Sequence, residues 1–439
     1  MFVFVMKRIN VLLLSMATIL LLSCGNDEED IVPADEPAAE NPAQRGLTDT
    51  DTETTGLFKM TAAQRAAVTP LNDFSLNLFR EYSQKKGADN SAVVSPLSVA
   101  MLMGMLNEGA SGNTCGEIQK ALGLSDKTKD DINLLMSKLI NGLGVIDPSV
   151  TMALANNITI NNRYTLLPNY EKALKDYYQA SAYALDFTDP SSAETINNWC
   201  SKHTNGLIKD MIEQTKADAV AYLLNAIYFK GAWTNRFNKE ETEFRYFSGL
   251  TDLIRMTCRR GMDSYYENTL FSALRLPMGN GSYAMTILLP REEKGLEKMI
   301  KALNAEMISQ MTFQEYDVLT HLPIFRTENE IDLISILENM GVHEAFGVNA
   351  QFPDMIQDIN ESLYVSMMKQ KSSLGIDEDG CEGAAVTLAE MMCTSDGDED
   401  PQQDTDKPQR YFNADHPFAY IISEKETGAI LFIGQFCGN

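Results

Sequence analysis

The chain has 439 residues, of which 44% are hydrophobic and 22% charged; these values exclude a wholly disordered or fibrous chain and a polytopic membrane protein. Its 61 acidic residues against 36 basic ones leave a formal charge of −25, and no basic stripe offsets that field, so nucleic acid is set aside as a partner. The length admits two or three domains, or one large domain with a tail, and in either case a sizeable core.

Residues 1–23 place Lys7 and Arg8 ahead of an apolar run, Val11 to Leu22. That is the layout of a signal peptide, and the run is shorter than the roughly 20 apolar residues that span a bilayer. It ends Leu21-Leu22-Ser23-Cys24-Gly25, which resembles the lipobox of bacterial lipoproteins. The acidic stretch Asn26-Asp27-Glu28-Glu29-Asp30 is similar to the surface-export signal of Bacteroidetes lipoproteins. The resemblance implies lipidation at Cys24, a lipid anchor to the membrane, and an outer-membrane protein at the cell surface, with the periplasmic face as the alternative. Residues 24–69 are rich in Pro, Thr and acid and read as a tether that cannot bury enough apolar surface to fold. The folded domain is expected at 70–439, starting near Pro70.

Along the body, Leu71, Phe74, Leu78, Phe79 and Tyr82 recur at helical spacing. Ala92–Ser95 reads as extended, and Pro96 opens an apolar helix through Leu106. Thr114 and Glu117 suggest a capped helix to Leu122. Ala153–Ile160 is strand-like, whereas Tyr164–Tyr178 and Ser192–His203 are helical. Val220–Phe229 is almost wholly apolar and reads as a buried central strand. Ala284–Leu289 is another strand, Glu330–Met340 a helix, and Leu363–Met368, Phe418–Ser423 and Ala429–Phe436 strands. Helices early and strands late predict a mixed α+β fold around large sheets.

Catalytic readings find no support in the motifs. His203, His321, His343 and His416 sit in no sequence pattern that also supplies a nucleophile or metal partner. The cysteines remaining after Cys24 are scattered without zinc spacing, so neither metal nor cofactor is expected. The informative stretch is 374–395. Every second residue from Cys381 (Cys381, Gly383, Ala385, Thr387, Ala389, Met391) is uncharged, and all but the last are small. The intervening set holds Glu382 and Glu390. As a strand the segment would turn one face to a core and keep both carboxylates in water. Such a stretch, also able to form a helix, suits a conformational switch.

Five motifs resemble the serpins, the serine protease inhibitor family. Asp377-Glu378-Asp379-Gly380-Cys381-Glu382-Gly383-Ala384-Ala385-Val386-Thr387 is similar to the family hinge. Asn225-Ala226-Ile227-Tyr228-Phe229-Lys230-Gly231-Ala232-Trp233 and Ser95-Pro96-Leu97-Ser98 resemble two further signatures. Phe412-Asn413-Ala414-Asp415-His416-Pro417-Phe418 and Gly428-Ala429-Ile430-Leu431-Phe432-Ile433-Gly434 resemble the closing pair. The resemblance spans about residues 70–437. It implies the serpin fold, α+β with three β-sheets, eight to nine helices and an exposed reactive-centre loop at about 378–411. It also implies suicide-substrate inhibition: a target protease cleaves the loop, forms a covalent one-to-one acyl-enzyme, and is trapped as the loop inserts into the central sheet. Such a protein is a monomer with no catalytic residues of its own, so no enzymatic activity is expected.

The hinge is assigned to Glu378, Gly380, Cys381, Glu382, Gly383, Ala384, Ala385 and Thr387, with Gly380 giving backbone freedom at the pivot. Counting the family's loop length from Cys381 puts the reactive bond at Thr394–Ser395, with cuts after Cys393 or Met392 as alternatives. No Lys or Arg lies there, which favours elastase-like or subtilisin-like serine proteases and leaves papain-like cysteine proteases open. Residues 396–407 exceed the usual loop, and six of the twelve are acidic; they read as a solvated insertion, or as a selector for proteases with a basic rim. A disulfide between Cys381 and Cys393 would pinch the loop. The competing reading is a non-inhibitory serpin acting as a surface binding or chaperone-like module.

Overall fold

The apolar run at 220–229 lies within a strand, Ala219–Ala232, whose residues 219–229 are all buried, as a strand covered on both faces requires. A computed structural model describes residues 2–8, 60–87, 89–358, 363–382 and 409–439. These contain nine α-helices: α1 Ala62–Lys86, α2 Pro96–Gly109, α3 Gly112–Ala121, α4 Lys129–Leu143, α5 Pro168–Tyr178, α6 Ser191–His203, α7 Leu296–Ala302, α8 Ala305–Ser309 and α9 Ile334–Asn339. The strands are β1 Phe2–Arg8, β2 Ala92–Val94, β3 Thr151–Asn161, β4 Ser181–Leu185, β5 Ala219–Ala232, β6 Glu243–Arg245, β7 Ile254–Glu267, β8 Phe271–Met278, β9 Tyr283–Pro290, β10 Gln314–Pro323, β11 Phe325–Asp332, β12 Leu363–Ile376, β13 Gly380–Glu382, β14 Arg410–Asn413, β15 Phe418–Glu424 and β16 Ile430–Phe436.

Two hydrogen-bonded sheets hold these strands. The first has seven strands and runs β11, β12, then β1 and β13 end to end, then β5, β3 and β4. The second has nine, with β7 as its shared strand: residues 256–265 pair with β10, and 264–267 pair with β8. Two of the three expected sheets therefore run together through one long strand. The main core lies between the sheets and beneath α1 and α2. Helix α2 is apolar nearly all round and almost wholly buried, with Pro96 in its first turn.

A second, smaller cluster covers the other face of the seven-stranded sheet. Phe187, Ile196, Trp199 and Ile212 pack there on Tyr222, Leu224 and Ala226 of β5, and Met367 of β12 packs against them. The chain after α6 also reaches β12, because Lys371 donates to the carbonyl of Asp210.

Three sequence expectations shift. The ordered body starts before Pro70: Thr61 caps α1 in a reciprocal capping box with Gln64, and Pro70 lies inside the helix. Thr114 sits within α3 rather than capping it, since its hydroxyl accepts the Gln351 amide at 3.0 Å. Glu117 is likewise engaged elsewhere, accepting the amides of His343 and Glu344 at 2.7 and 2.8 Å. Glu330 and Ile331 belong to β11, so the helix after them is only α9; Glu330 bonds Lys369 of β12 at 2.6 Å, which holds it in the ladder.

Candidate functional site

The site is built where β12 turns into β13. Asp377 makes that turn: its Oδ1 accepts the amides of Asp379 and Gly380 at 2.8 and 3.0 Å, and its own amide donates to the Gly380 carbonyl at 3.0 Å. This is the local side-chain bonding that suits Asp to turns. Trp233 clamps the turn from β5's end, with Nε1 donating to the Asp377 carbonyl at 2.8 Å and its amide to the Asp379 carbonyl at 3.0 Å. The Phe237 amide bonds the Glu378 carbonyl at 3.1 Å.

Glu378 is buried, although it stands in an acidic run. Its Oε1 accepts from Thr242 Oγ1 at 2.7 Å and from Arg255 Nη2 at 3.1 Å. A buried carboxylate needs such partners. Asp379 points outward to Lys239 at 2.6 Å and Arg236 at 3.7 Å.

Gly380 has a different role from the freedom expected of a pivot. A Cβ there would lie 2.3 Å from the Gly231 carbonyl oxygen and 2.8 Å from Ala232 Cα. The glycine is needed because β13 approaches the β5 backbone too closely for any side chain.

Beyond it, the predicted alternation is realised at the first two positions. Cys381 is 1% exposed and pairs with Ile376 and Gly231. Burial pushes its thiol pKa up, with Asp377 and Glu382 adding to the effect. The other half of the expected bridge, Cys393, lies outside the described residues. Glu382 turns to the opposite face and accepts from Tyr228 Oη at 2.8 Å and Lys230 Nζ at 3.0 Å. Burial, and then the hydrogen bond and charge of Glu382, push the Tyr228 pKa up to about 12. The hinge has thus begun to enter the sheet as a strand between β12 and β5.

Farther along the same slot the walls carry polar side chains. Gln370 of β12 donates to the Ser95 carbonyl at 3.1 Å and accepts its amide at 3.3 Å. Asn225 of β5 donates to Asn156 Oδ1 at 2.8 Å, and Asn156 in turn donates to the Tyr178 carbonyl at 2.8 Å. The Asn225 Oδ1 atom is buried and has no hydrogen-bond partner, the kind of orphan that a native fold rarely keeps without a reason. Asn225 lies in a sequence motif that gives it no role, and Trp233 shares that motif; Thr242, Arg255 and Gln370 carry no local signal, and only the tertiary pairing reveals all of them as site residues.

At the loop's other end, β14 pairs parallel with β10. His321 fastens it, with Nδ1 against Asn413 Oδ1 at 2.8 Å and Nε2 against Arg245 Nη1 at 2.9 Å. Burial pushes the His321 pKa down. His416 bridges Asp415 and the Pro290 carbonyl, and His203 bonds the Trp199 carbonyl, all at 2.8 Å. Each of these three is structurally engaged. Among the described residues no group of three or more His, Cys, Asp or Glu side chains is placed to hold a metal ion.

Gly383, Ala384, Ala385 and Thr387 of the hinge, Met392, Cys393, Thr394 and Ser395 around the reactive bond, the acidic insertion 396–407 and Cys24 lie outside the described residues.

A mixed α+β protein whose central sheet is parted between two parallel strands, with a hinge feeding into the gap, is the class defined by this fold and site. A family model described as Serpin (serine protease inhibitor) matches residues 69–438. The chain is 30% identical to an uncharacterized serpin-like protein of Thermococcus kodakarensis over 98% of each chain. It is also 30% identical to Serine protease inhibitor 42Dd of Drosophila melanogaster, over 80% of this chain and 92% of that one. The solved structure of a cleaved Serpin 42Da superposes with a TM-score of 0.75 at 25% identity, covering 86% of this chain and 98% of that one. The chain belongs to the serpin family. Members of this family are in general protease inhibitors rather than catalysts.

Proposed function

We propose that the protein is a suicide-substrate inhibitor of serine endopeptidases of the elastase-like or subtilisin-like class, with papain-like cysteine proteases as a further target class. The observation that carries this reading is the hinge: Cys381 faces the core and Glu382 faces away, in register with both β12 and β5. A small-residue segment continuing from there can extend the same strand without burying a charge on the core face.

In the proposed reaction the protease serine Oγ attacks the carbonyl of Thr394. The Thr394–Ser395 bond breaks, a new ester joins Thr394 to the protease, and the departing amine takes a proton at Ser395. Cuts after Cys393 or Met392 follow the same course. The freed strand then adds to the sheet through main-chain hydrogen bonds and apolar burial. Trapping requires that insertion outrun hydrolysis of the ester, so the uncleaved fold is a kinetically held state. Lipidation at Cys24, with the residues between Cys24 and α1 as a tether, would hold the inhibitor at the outer membrane, on the cell surface or on its periplasmic side.

The alternative, a non-inhibitory serpin acting as a binding or chaperone-like module, draws support from the occupation of the slot by β1, which closes it to the loop. The test is to mix the protein with elastase-like, subtilisin-like and papain-like proteases and run a denaturing gel, weighing the released peptide by mass spectrometry. A covalent band near the sum of the two masses is expected, and the peptide mass locates the cut. Loop cleavage without that band in all three classes would favour the alternative.

A further inference from the structure

The gap between β5 and β12 is filled in two pieces. Gly380–Glu382 takes the hinge end and Phe2–Arg8 the far end. Each piece runs antiparallel to both walls.

The two registers interlock. Gly380, Cys381 and Glu382 face Ala232, Gly231 and Lys230 of β5, one residue per step. Continued at that step, Thr387 would face Asn225. On the other wall Cys381 faces Ile376 and Glu382 faces Gly375, and the same count brings Thr387 to Gln370. Asn225 and Gln370 are the two residues that Phe2 faces. The next places coincide as well. Val3 faces Leu224 and Lys369, Phe4 faces Leu223 and Met368, and Val5 faces Tyr222 and Met367. Continued at the same step, Leu388, Ala389 and Glu390 would come to these stations. Counted independently on both walls, β1 lies in the lane the loop would use, with no offset.

We propose that residues 2–8 are a removable plug: while they remain in the chain they hold the slot against the reactive loop, and hydrolysis of the Ser23–Cys24 peptide bond by a signal peptidase, in which water leaves a carboxylate on Ser23 and an amine on Cys24, opens it. The proposal rests on the inhibitory reading above. Chemistry at the shared station explains which occupant the slot favours. With β1 in place, Asn225 Oδ1 is buried without a partner, and the Phe2 side chain contains no donor. Thr387, arriving at the same station, brings a hydroxyl that can donate to it. The plug satisfies the backbone of the slot and leaves one acceptor unmet that the loop can meet.

The test uses the full chain and a Val3→Pro, Val5→Pro variant, since proline has no N–H to give either wall. Hydrogen exchange is read on residues 2–8. Thermal midpoints are compared before and after the loop is nicked by a metalloprotease, which forms no acyl-enzyme and so cannot be trapped. In the unmodified chain, amides of residues 2–8 should exchange at least about 100-fold more slowly than in the free peptide. Nicking should raise the variant's midpoint by about 10 °C or more, and the unmodified chain's by less than half as much. Synthetic peptide FVFVMKR added to the variant should suppress the rise. Free-peptide exchange rates at 2–8, or equal rises in both chains, would overturn the proposal. No rise in either chain, with residues 2–8 protected, would leave β1 as the occupant but refute the insertion it is said to oppose.

Discussion

Replacing Gly380 by alanine tests the hinge directly. The added methyl would sit 2.3 Å from the Gly231 carbonyl oxygen and 2.8 Å from Ala232 Cα. Both are backbone atoms of β5, whose ladder to β3 runs up to the adjoining Lys230 and whose Ala232 carbonyl accepts the Gly279 amide, so no side chain can swing aside. Forcing the methyl in costs about 3 kcal/mol or more, the upper end of overpacking. The alternative is for β13 to leave the sheet. That gives up a three-residue ladder at about 1 kcal/mol net per hydrogen bond and the burial of one small side chain worth about 1 kcal/mol, about 4 kcal/mol in all. The two routes are comparable in cost, so the loss is bounded near that figure; because the clash is with backbone that cannot yield, the hinge comes out. For a fold of this size that is about 5 °C in the thermal midpoint. The sharper assay is thiol labelling. Cys381 is 1% exposed and should resist a maleimide in the native protein, yet react rapidly in Gly380→Ala, with a Gly380→Ala, Cys381→Ser control to identify the site. A variant whose Cys381 stays protected and whose midpoint does not move would refute the close-packing account of Gly380.

Three other outcomes are expected. Tyr228, with its pKa pushed up to about 12 by burial and Glu382, has a folded value above the unfolded value near 10; its contribution is complete below about pH 10 and is lost as pH rises through 12. The stability difference between the native protein and Tyr228→Phe, followed by urea titration, should therefore shrink across that window, and Glu382→Gln should move the window down. Glu378→Gln should cost about 1–2 kcal/mol in urea denaturation, between the values for an exposed and a fully buried pair, because Arg255 is 42% exposed; an unchanged midpoint would show that the carboxylate charge is dispensable there. If the loop inserts in the continued register, Glu390 would come to the station between Tyr222 and Met367, beneath the α6 cluster. Glu390→Gln should therefore raise the covalently trapped fraction of protease severalfold on a denaturing gel, and an equal or lower fraction would place the carboxylate elsewhere.

Much of the fold was legible because its signals are local. Pro96 opening α2, the apolar run of β5 and the period-two pattern at Cys381 and Glu382 each follow from side-chain type and spacing. The site was legible only in part. Glu378 is assigned to the hinge, and nothing in the sequence announces the Thr242 and Arg255 partners that let it be buried. Gly380 was recognised, but the reason for it lies in a strand some 150 residues away in sequence. Residues 2–8 read as the start of a leader, and their pairing with β5 and β12 is a long-range register that composition does not encode. The expected helix Glu330–Met340 starts too early, because the bond from Lys369 to Glu330 holds that residue in a strand.

The covering over the seven-stranded sheet bears on how quickly any strand can enter it. Cluster residues Ile196, Trp199 and Ile212 rest on β5, while Lys371 of β12 is tied to the Asp210 carbonyl just ahead of Ile212. The polypeptide between α6 and β5 is therefore attached on both banks of the gap, like a bridge deck. A strand arriving from the hinge cannot simply zip down an open channel; it must pass beneath this span, which has to lift and settle again behind it. Transit time then depends on the tightness of the span as well as on the attraction of the lane. Loosening the Lys371 mooring would hasten passage even though no contact with the incoming strand has changed.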